Sequence, residues 1–282
     1  MTTTSPAAPV TSAAPLPPRR RAAFAGLLLS EWTKIRSVRS TVWTLILFVV
    51  LTIGLTAGIT ALVVSSWGRP GSGEGQVAIL ADPVGFILGA GIGLGQLTIC
   101  VLGVLVITTE YSTGVIRASL LAVPRRIPML MAKLVVFAAI LIVLSEIVAF
   151  GSFFLGSLLL HSKVPVTLSD SGVTRAVVGA GLYLSVLGLF AVAIGALIRH
   201  TAGGIATVIG AVLVLPIITN FLPGSWGHHI NSYLPEQAGS MIYQTHQQPD
   251  QLLTSWQGFG VFCVWTALLL GVAGYLLVRR DA

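Results

Sequence analysis

Residues 110–133, EYSTGVIRASLLAVPRRIPMLMAK, decide how this chain folds, because they form a long polar and basic break between two apolar runs. The stretch carries Arg117, Arg125, Arg126 and Lys133 against the single acid Glu110. Lys and Arg accumulate in short loops on the cytoplasmic side of a membrane. We therefore expect this stretch to be cytoplasmic and the apolar runs on either side of it to span the bilayer.

A short amphipathic helix is predicted inside this stretch. One face of this helix would consist of residues spaced at i, i+1, i+4, i+5 and i+8, namely Val115, Ile116, Ser119, Leu120 and Val123. Pro124 is expected to end this helix, and Pro128 suits the first turn of the next one. Such a helix would bind a soluble partner. The alternative is an ordinary connecting loop on the lipid surface.

The composition predicts an all-α, polytopic membrane protein. Of the 282 residues, 55% are hydrophobic and 9% are charged, whereas soluble domains have about 25% charged residues. The net charge of +7 comes from residues at the ends of apolar runs, so we expect it to set orientation and not to bind nucleic acid. Cys100 and Cys263 lie inside apolar runs, so no disulfide framework is expected.

Two features precede the first apolar run. Residues 1–23 begin with Thr, Ser, Ala and Pro and are expected to form a disordered cytoplasmic tail, while residues 24–282 are expected to form one transmembrane domain. Residues 24–40 predict an interfacial helix that leads into the first span. One line of this helix contains Leu28, Trp32, Ile35 and Arg39, with Lys34 and Arg36 off that line. Because Glu31 and Lys34 interrupt the apolar stretch, no cleaved signal is expected.

Six apolar runs follow, and each exceeds the roughly 20 helical residues that cross a bilayer core. They lie at residues 43–65, 84–108, 134–160, 176–198, 202–222 and 257–278. This layout puts all but three of the 16 Lys and Arg residues on the side of the two termini. The exceptions are Arg69, Lys163 and Arg175. Both termini are therefore expected in the cytoplasm.

Glycines at helical spacing predict close packing between spans, since they let helix backbones approach. They are Gly85, Gly89 and Gly93, with Gly91 and Gly95 as a second pair, in the second span, and Gly181, Gly188 and Gly195 in the fourth. Pro216 is expected to bend the fifth span, because proline removes one helix hydrogen bond.

Glu146 is the ionisable residue that lies deep in a predicted span. A charged carboxylate there is costly, so we expect it to be protonated or hydrogen-bonded to a residue such as Ser145, Gln96 or Tyr183. The alternative is a role in substrate or ion passage.

Residues 223–256 form the longest connection outside the predicted spans. Aromatic residues suited to a membrane-interface belt are Trp226, Tyr233, Tyr243 and Trp256. His228, His229 and His246 lack the spacing and partners of a metal site, so we expect exposed loop histidines. The chain has no G-x-x-x-x-G-K-[ST] loop, H-E-x-x-H or G-x-S-x-G motif, so we do not expect it to hydrolyse a substrate by itself.

Three motifs resemble the permease subunits of type-2 ABC exporters: SEWTKIRSVRSTVWTL before the first span, EYSTGVIRASLLAVPRR after the second, and GALIRHTAGGIA at the fourth-to-fifth turn. The resemblance implies a cell-membrane exporter in which this chain pairs with a second permease copy, identical or closely homologous. It also implies two separately encoded ATPase subunits, which would bind ATP and magnesium, and no cofactor on this chain.

The resemblance further implies roles for particular residues. Residues 115–123 would match the coupling helix that docks into the ATPase, with Arg117, Arg125 and Arg126 against acidic groups or anionic lipid. The connecting helix would contain Leu28, Glu31, Trp32, Lys34, Ile35, Arg36 and Arg39. Candidates for the translocation pathway are Gly89, Gly93, Gln96, Glu146, Pro216 and Asn220, and residues 233–243 would close it on the outside.

Two other classes of function stay open at this point. One is a membrane anchor or sensor subunit that docks an ATPase without moving cargo. The other is an ion-coupled carrier acting alone, which predicts intramembrane charges and repeated halves, whereas the sequence offers Glu146 and no convincing repeat. Lipid, peptide, antibiotic and polysaccharide cargoes all fit an apolar pathway.

Overall fold

The computed structural model describes residues 24–69, 73–113, 126–221, 225–247 and 251–279. Within these ranges the chain is helical and contains no strand, which confirms the all-α prediction. The predicted coupling helix at residues 115–123 lies outside the described residues.

Eleven α-helices are described in these ranges, together with one π turn and one 3-10 turn. They are α1 (Phe24–Ser37), α2 (Arg39–Ser65), α3 (Gly73–Ala81), α4 (Pro83–Ser112), α5 (Arg126–Leu160), α6 (Val173–Ile198), α7 (Thr201–Ile209), the π turn (Gly210–Val214), α8 (Leu215–Asn220), α9 (Ser225–Ser232), α10 (Pro235–Ser240), the 3-10 turn (Met241–Tyr243) and α11 (Ser255–Arg279).

Six helical segments among the described residues are long and apolar enough to cross a membrane, as predicted. They correspond to α2, α4, α5, α6, the α7-to-α8 unit and α11. Two of them extend well past the predicted ends, because α4 continues to Ser112 and α5 begins at Arg126. Glu110 and Lys133 therefore lie within helices and not in a loop.

Helix α6 forms the centre of the bundle and packs against α4, α5 and α11. Glycines allow the close approach, as predicted for the fourth span: a Cβ on Gly195 would fall 2.8 Å from Ile107 of α4, and one on Gly188 would overlap Leu141 of α5. In α4 itself Gly91 and Gly95 lie against α2, and Gly103 lies against α6. Gly93 faces open space, so the predicted stripe through it is wrong.

The fifth span is interrupted by the π turn Gly210–Val214, directly before Pro216. The backbone N–H of Leu215 donates to the Gly210 carbonyl, five residues back. Pro216 has no backbone N–H, and its ring would crowd the preceding turn of a regular α-helix. The wider turn accommodates that ring, so the predicted distortion takes the form of a local change of helix type.

Contacts between helix ends define two sides of the bundle. On the first, called the α1 side, Arg199 at the end of α6 lies 5.2 Å from the Tyr111 ring and donates to the Leu276 carbonyl at 3.4 Å. On the other, called the loop side, Arg175 at the start of α6 donates to carbonyls of residues 242–245. These contacts hold the ends of α4, α6 and α11 together on the α1 side.

Candidate functional site

Four charged side chains meet where α1, α4 and α5 converge on the α1 side. Lys133 Nζ lies 2.7 Å from Glu31 Oε2 and 2.8 Å from Glu110 Oε1. Lys34 Nζ lies 2.6 Å from Glu31 Oε1 and 3.2 Å from Glu110 Oε1. Each lysine bridges both carboxylates. These four residues are called the charge cluster below.

The charge cluster is largely withdrawn from water: Glu31 is 3%, Lys133 4% and Glu110 8% exposed. Burial alone would raise the pKa of Glu31, but the nearby Lys133 and Lys34 outweigh it and hold that pKa below its ordinary value. Burial also opposes the charge on Lys34, while Glu31 and Glu110 raise its pKa above the ordinary value. Glu31 and Lys34 are therefore both ionised at neutral pH.

A buried ion network of this kind fixes geometry more than it adds stability. Desolvation of the charges offsets most of their attraction, so the intact network contributes little net free energy. Loss of one partner leaves an uncompensated buried charge and is strongly unfavourable. The charge cluster therefore fixes the position of α1 against α4 and α5.

The sequence analysis predicted the segments in which the four residues of the charge cluster lie, but it did not predict that they form ion pairs with one another. Glu31 and Lys34 are three residues apart, whereas Lys133 is 102 residues from Glu31 and 23 from Glu110. One usable signal was present, because Glu31 and Glu110 are the acids on the α1 side among the described residues. Glu31 also lies three residues from Lys34.

The predicted interfacial helix is present as α1, with one correction to its end. It ends at Ser37, so Arg39 belongs to α2. Trp32, on the predicted line, is 49% exposed, while Glu31 is buried. The ion pairs of the charge cluster turn the Glu31 face inward. Leu28 and Ile35 are half-buried, and Arg36 and Arg39 are exposed.

Residues predicted to couple to a partner mostly lie outside the described ranges: Val115, Ile116, Arg117, Ser119, Leu120, Val123 and Arg125. The described chain stops at Thr113 and resumes at Arg126, the first residue of α5. Glu110 precedes this segment by less than one helical turn, and Lys133 follows it by about two turns. The charge cluster therefore ties together the two helices that flank residues 114–125.

A second well-defined site lies on the loop side, where residues 242–245 form hydrogen bonds with side chains of two other segments. Arg175 donates to the carbonyls of Ile242 at 3.2 Å, Gln244 at 2.9 Å and Thr245 at 3.4 Å. Asp82, at the amino-terminal end of α4, accepts from the Thr245 backbone N–H at 2.9 Å and from its hydroxyl. This external clamp attaches the connection after α10 to the starts of α4 and α6.

Behind the clamp, aromatic and amide side chains fill the bundle. The Tyr183 hydroxyl donates to Gln96 Oε1 at 2.6 Å, and the Tyr183 ring lies 5.6 Å from the rings of Tyr243 and Phe262. Gln96, a predicted pathway residue, is thus buried and bonded to α6. Tyr243 is half-buried and packs on Tyr183, whereas Trp226, Tyr233 and Trp256 are exposed.

The hydrogen bonds predicted from Glu146 to Ser145, Gln96 or Tyr183 are not formed, and the alternative of a protonated Glu146 stays a prediction. Gln96 and Tyr183 bond each other. Ser145 Oγ and Glu146 Oε2 are buried without a hydrogen-bond partner among the described residues. The carboxyl instead packs on Gly181 of α6, where a Cβ would fall 2.5 Å from Glu146 Cδ. The missing side chain at Gly181 makes the space that the Glu146 carboxyl occupies.

The structure does not gather the predicted pathway residues into one site. A Cβ on Gly89 would fall 4.0 Å from the Tyr243 ring, and Gly93 faces open space. Pro216 is buried, whereas Asn220 is exposed and accepts from Asn231 Nδ2 at 3.0 Å. Together with Gln96 and Glu146, these residues occupy separate environments, so the charge cluster and the external clamp are the better-defined sites.

The six spans make this chain an all-α, multi-pass membrane protein. Comparison with protein-family models found no match, and comparison with curated proteins found none. In the part of the chain that the structure describes, no group of three His, Cys, Asp or Glu side chains is placed to hold a metal ion.

Proposed function

We propose that this chain is the membrane-spanning subunit of an ATP-driven exporter of the type-2 ABC class, located in the cell membrane. Two copies would form the pathway, and two separate ATPase subunits would bind on the α1 side and hold ATP and magnesium. One observation carries the proposal beyond the sequence resemblance. The charge cluster joins α1 to both helices that flank residues 114–125.

That arrangement suits the transmission of force. A partner pressing on residues 114–125 or on α1 would move α4 and α5 together with α1, because each lysine of the charge cluster bonds both carboxylates. Helix α4 contains 30 residues and is therefore about 45 Å long. Its far end carries Asp82, which binds Thr245 in the external clamp. Movement at the α1 side would thus reach the external connection, as in hinge and shear gating.

The docking part of the proposal is tested by changing the apolar face predicted within residues 115–123. Ile116→Asp and Leu120→Asp should release a co-expressed ATPase subunit from the membrane without preventing insertion. Loss of an apolar contact at a packed interface costs about 1–3 kcal/mol per side chain, which weakens binding about 5-fold to 150-fold. The measurement is recovery of the ATPase with the affinity-tagged chain, together with ATP hydrolysis.

A matched control is Leu252→Asp, which makes the same change at a 44% exposed residue on the loop side. This control should leave ATPase recovery unchanged. If both variants in residues 115–123 retain the ATPase and its stimulated hydrolysis, this segment is not the docking site and α1 becomes the place to test. If the unmodified chain recovers no ATPase at all, the exporter proposal itself is wrong.

Transport separates an exporter from a subunit that only anchors or senses. Thr245→Val removes the hydroxyl that bonds Asp82 but keeps the backbone N–H contact. For an exporter we expect a change in cargo efflux while ATPase recovery is unchanged. An anchor subunit predicts no efflux from the unmodified assembly, measured by comparing lipid and toxin export in a deletion strain with and without the gene.

A further inference from the structure

A groove of about 470 Å³ lies between α1, α2 and α4 and ends at the charge cluster. Its α4 wall is apolar and is formed by Leu102, Leu105 and Val106. Helix α2 contributes the hydroxyl side chains of Ser40, Thr41 and Thr44. The groove is therefore amphipathic, with charged groups at one end and an apolar surface that extends away from them.

The lining of the groove contains two lysines and two carboxylates, and Lys34 is the member of the charge cluster that an occupant can reach most easily. The Lys34 side chain is 34% exposed, while the other members of the charge cluster are 4–10% exposed. An ammonium has three N–H donors, and Lys34 uses two of them on Glu31 and Glu110. One donor is left over among the described contacts. Arg36 and Arg39 are exposed and lie next in the chain to the lining residues Ile35, Ser37, Val38 and Ser40.

The groove has room for the first part of one lipid chain. Leu102 precedes Glu110 by eight residues, so the apolar wall runs about 12 Å into the span from the charged end. A wall of this length would contact the methylene groups of an acyl chain that lie closest to the headgroup. The charged end lies at the termini of spans α2 and α4, where a bilayer has its headgroups.

We propose that this groove binds one anionic phospholipid, with the phosphate on Lys34 and one acyl chain between α2 and α4. The leftover donor of Lys34 would bind a phosphate oxygen, and Arg36 and Arg39 would concentrate anionic headgroups at the rim. The bound lipid would contact α1 and α4 at once, next to the charge cluster. This inference depends on the membrane fold and not on the exporter proposal.

The test uses the full-length protein, stripped of lipid in detergent and then given phosphatidylglycerol or phosphatidylcholine. Native mass spectrometry counts the lipid molecules that each chain retains. We expect one phosphatidylglycerol per chain and a preference over phosphatidylcholine of about tenfold or more. Leu105→Trp, which fills the groove, should abolish retention. Leu94→Trp is the matched control, because Leu94 lies on the same helix outside the groove and is 53% exposed.

A paired variant tests the headgroup contact without unbalancing the charge cluster. Glu31→Gln combined with Lys34→Gln removes one charge of each sign and should reduce the lipid preference to near unity. Equal retention by Leu105→Trp and Leu94→Trp would overturn the proposal, as would equal retention of both lipids by the unmodified chain. Displacement of the lipid by inorganic phosphate would identify a free-phosphate site instead. A changed oligomeric state with unchanged lipid count would identify a second copy of the chain as the occupant.

Discussion

Lys133 is the residue on which the charge cluster depends most, because it bonds two carboxylates and is itself only 4% exposed. The Lys133 ammonium cannot be hydrated as the Lys34 ammonium can, because the Lys34 side chain is 34% exposed and that of Lys133 is 4% exposed. Without Lys133, Glu31 and Glu110 would share a single counter-ion in a buried place. The cost of that arrangement makes Lys133 the clearest point for a stability test.

We expect Lys133→Met to destabilise the protein by about 3–5 kcal/mol, because it leaves a buried negative charge uncompensated. Thermal unfolding in detergent measures the effect. Lys163→Met is the matched control, since Lys163 is exposed on the loop side, and it should change stability by less than about 0.5 kcal/mol. Adding Glu110→Met to Lys133→Met restores charge balance and should recover part of the loss. Equal stability of the two single variants would contradict the role given to the charge cluster.

Glu236 of α10 predicts a pH-dependent stability on the loop side. Burial raises the pKa of its carboxyl to about 7 from the ordinary 4.5. The folded state therefore favours the neutral acid. Below pH 4.5 the carboxyl is neutral in both the folded and the unfolded state, so burial of Glu236 does not change stability. As the pH rises from 4.5 to about 7, burial increasingly destabilises the folded state. Each pKa unit corresponds to about 1.4 kcal/mol, and partial solvent contact reduces the effect.

Glu236→Gln should therefore stabilise the protein by about 1–2 kcal/mol above pH 7 and have no effect below pH 4.5. The measurement is the difference in melting temperature between the variant and the unmodified chain across that pH range. A gain that did not vary with pH would show that burial of the Glu236 charge is not its cause.

At the scale of single residues, the sequence allowed prediction of position along the chain but not of contacts. Glu31 and Lys34 were expected in one helix, and Glu110 and Lys133 at the two ends of one polar stretch. Their pairing depends on how α1, α4 and α5 are rotated about their axes. For Glu146 the same limitation led to the wrong partners, because the space beside it comes from Gly181 of another helix.

At the scale of helices, α4 shows why the presence of a span was easier to predict than its packing face. Two glycine sets at i, i+4 spacing occur in it, and a shift of two residues moves a set to the opposite side of a helix. Helix α4 has apolar residues around its whole circumference, so the sequence does not indicate which of its faces packs inside the bundle. The set that packs is Gly91 with Gly95, which lies against Thr52 and Thr56 of α2.

Gly91→Ala should destabilise the α2-to-α4 contact by about 1–3 kcal/mol, because the added Cβ would overlap the Thr52 carbonyl and the Thr56 hydroxyl. Gly93→Ala is the matched control on the same helix, where nothing lies within 4 Å. It should be neutral or stabilising by up to about 1 kcal/mol, since alanine favours a helix. Thermal unfolding distinguishes the two variants. A similar loss in both would mean that α4 is rotated differently in the membrane.

At the scale of the whole molecule, the distribution of basic residues predicts orientation. The α1 side carries the charge cluster, Arg199 and Arg279, whereas the loop side carries Arg69, Lys163 and Arg175. The six spans agree with the sequence because length and hydropathy alone determine them. The positive-inside rule then predicts that the α1 side is cytoplasmic.

Single cysteines test this orientation after Cys100 and Cys263 are replaced by alanine. Ser169→Cys, exposed on the loop side, should react with an impermeant thiol reagent in intact cells. Ser37→Cys, exposed at the end of α1, should react only after the membrane is permeabilised. The reversed pattern would invert the topology and move the proposed ATPase site to the other face of the membrane.

The π turn in the fifth span has a consequence for changes in chain length. Its hydrogen bond reaches back five residues instead of four, so Gly210–Val214 contains one residue more than an α-helical turn would use. A one-residue deletion within this turn would restore a regular helix ahead of Pro216, and the proline ring would then crowd the preceding turn. A deletion elsewhere in a span would rotate everything that follows it by about 100°. A deletion within Gly210–Val214 combined with Pro216→Ala should therefore keep both flanking segments in register with their neighbours.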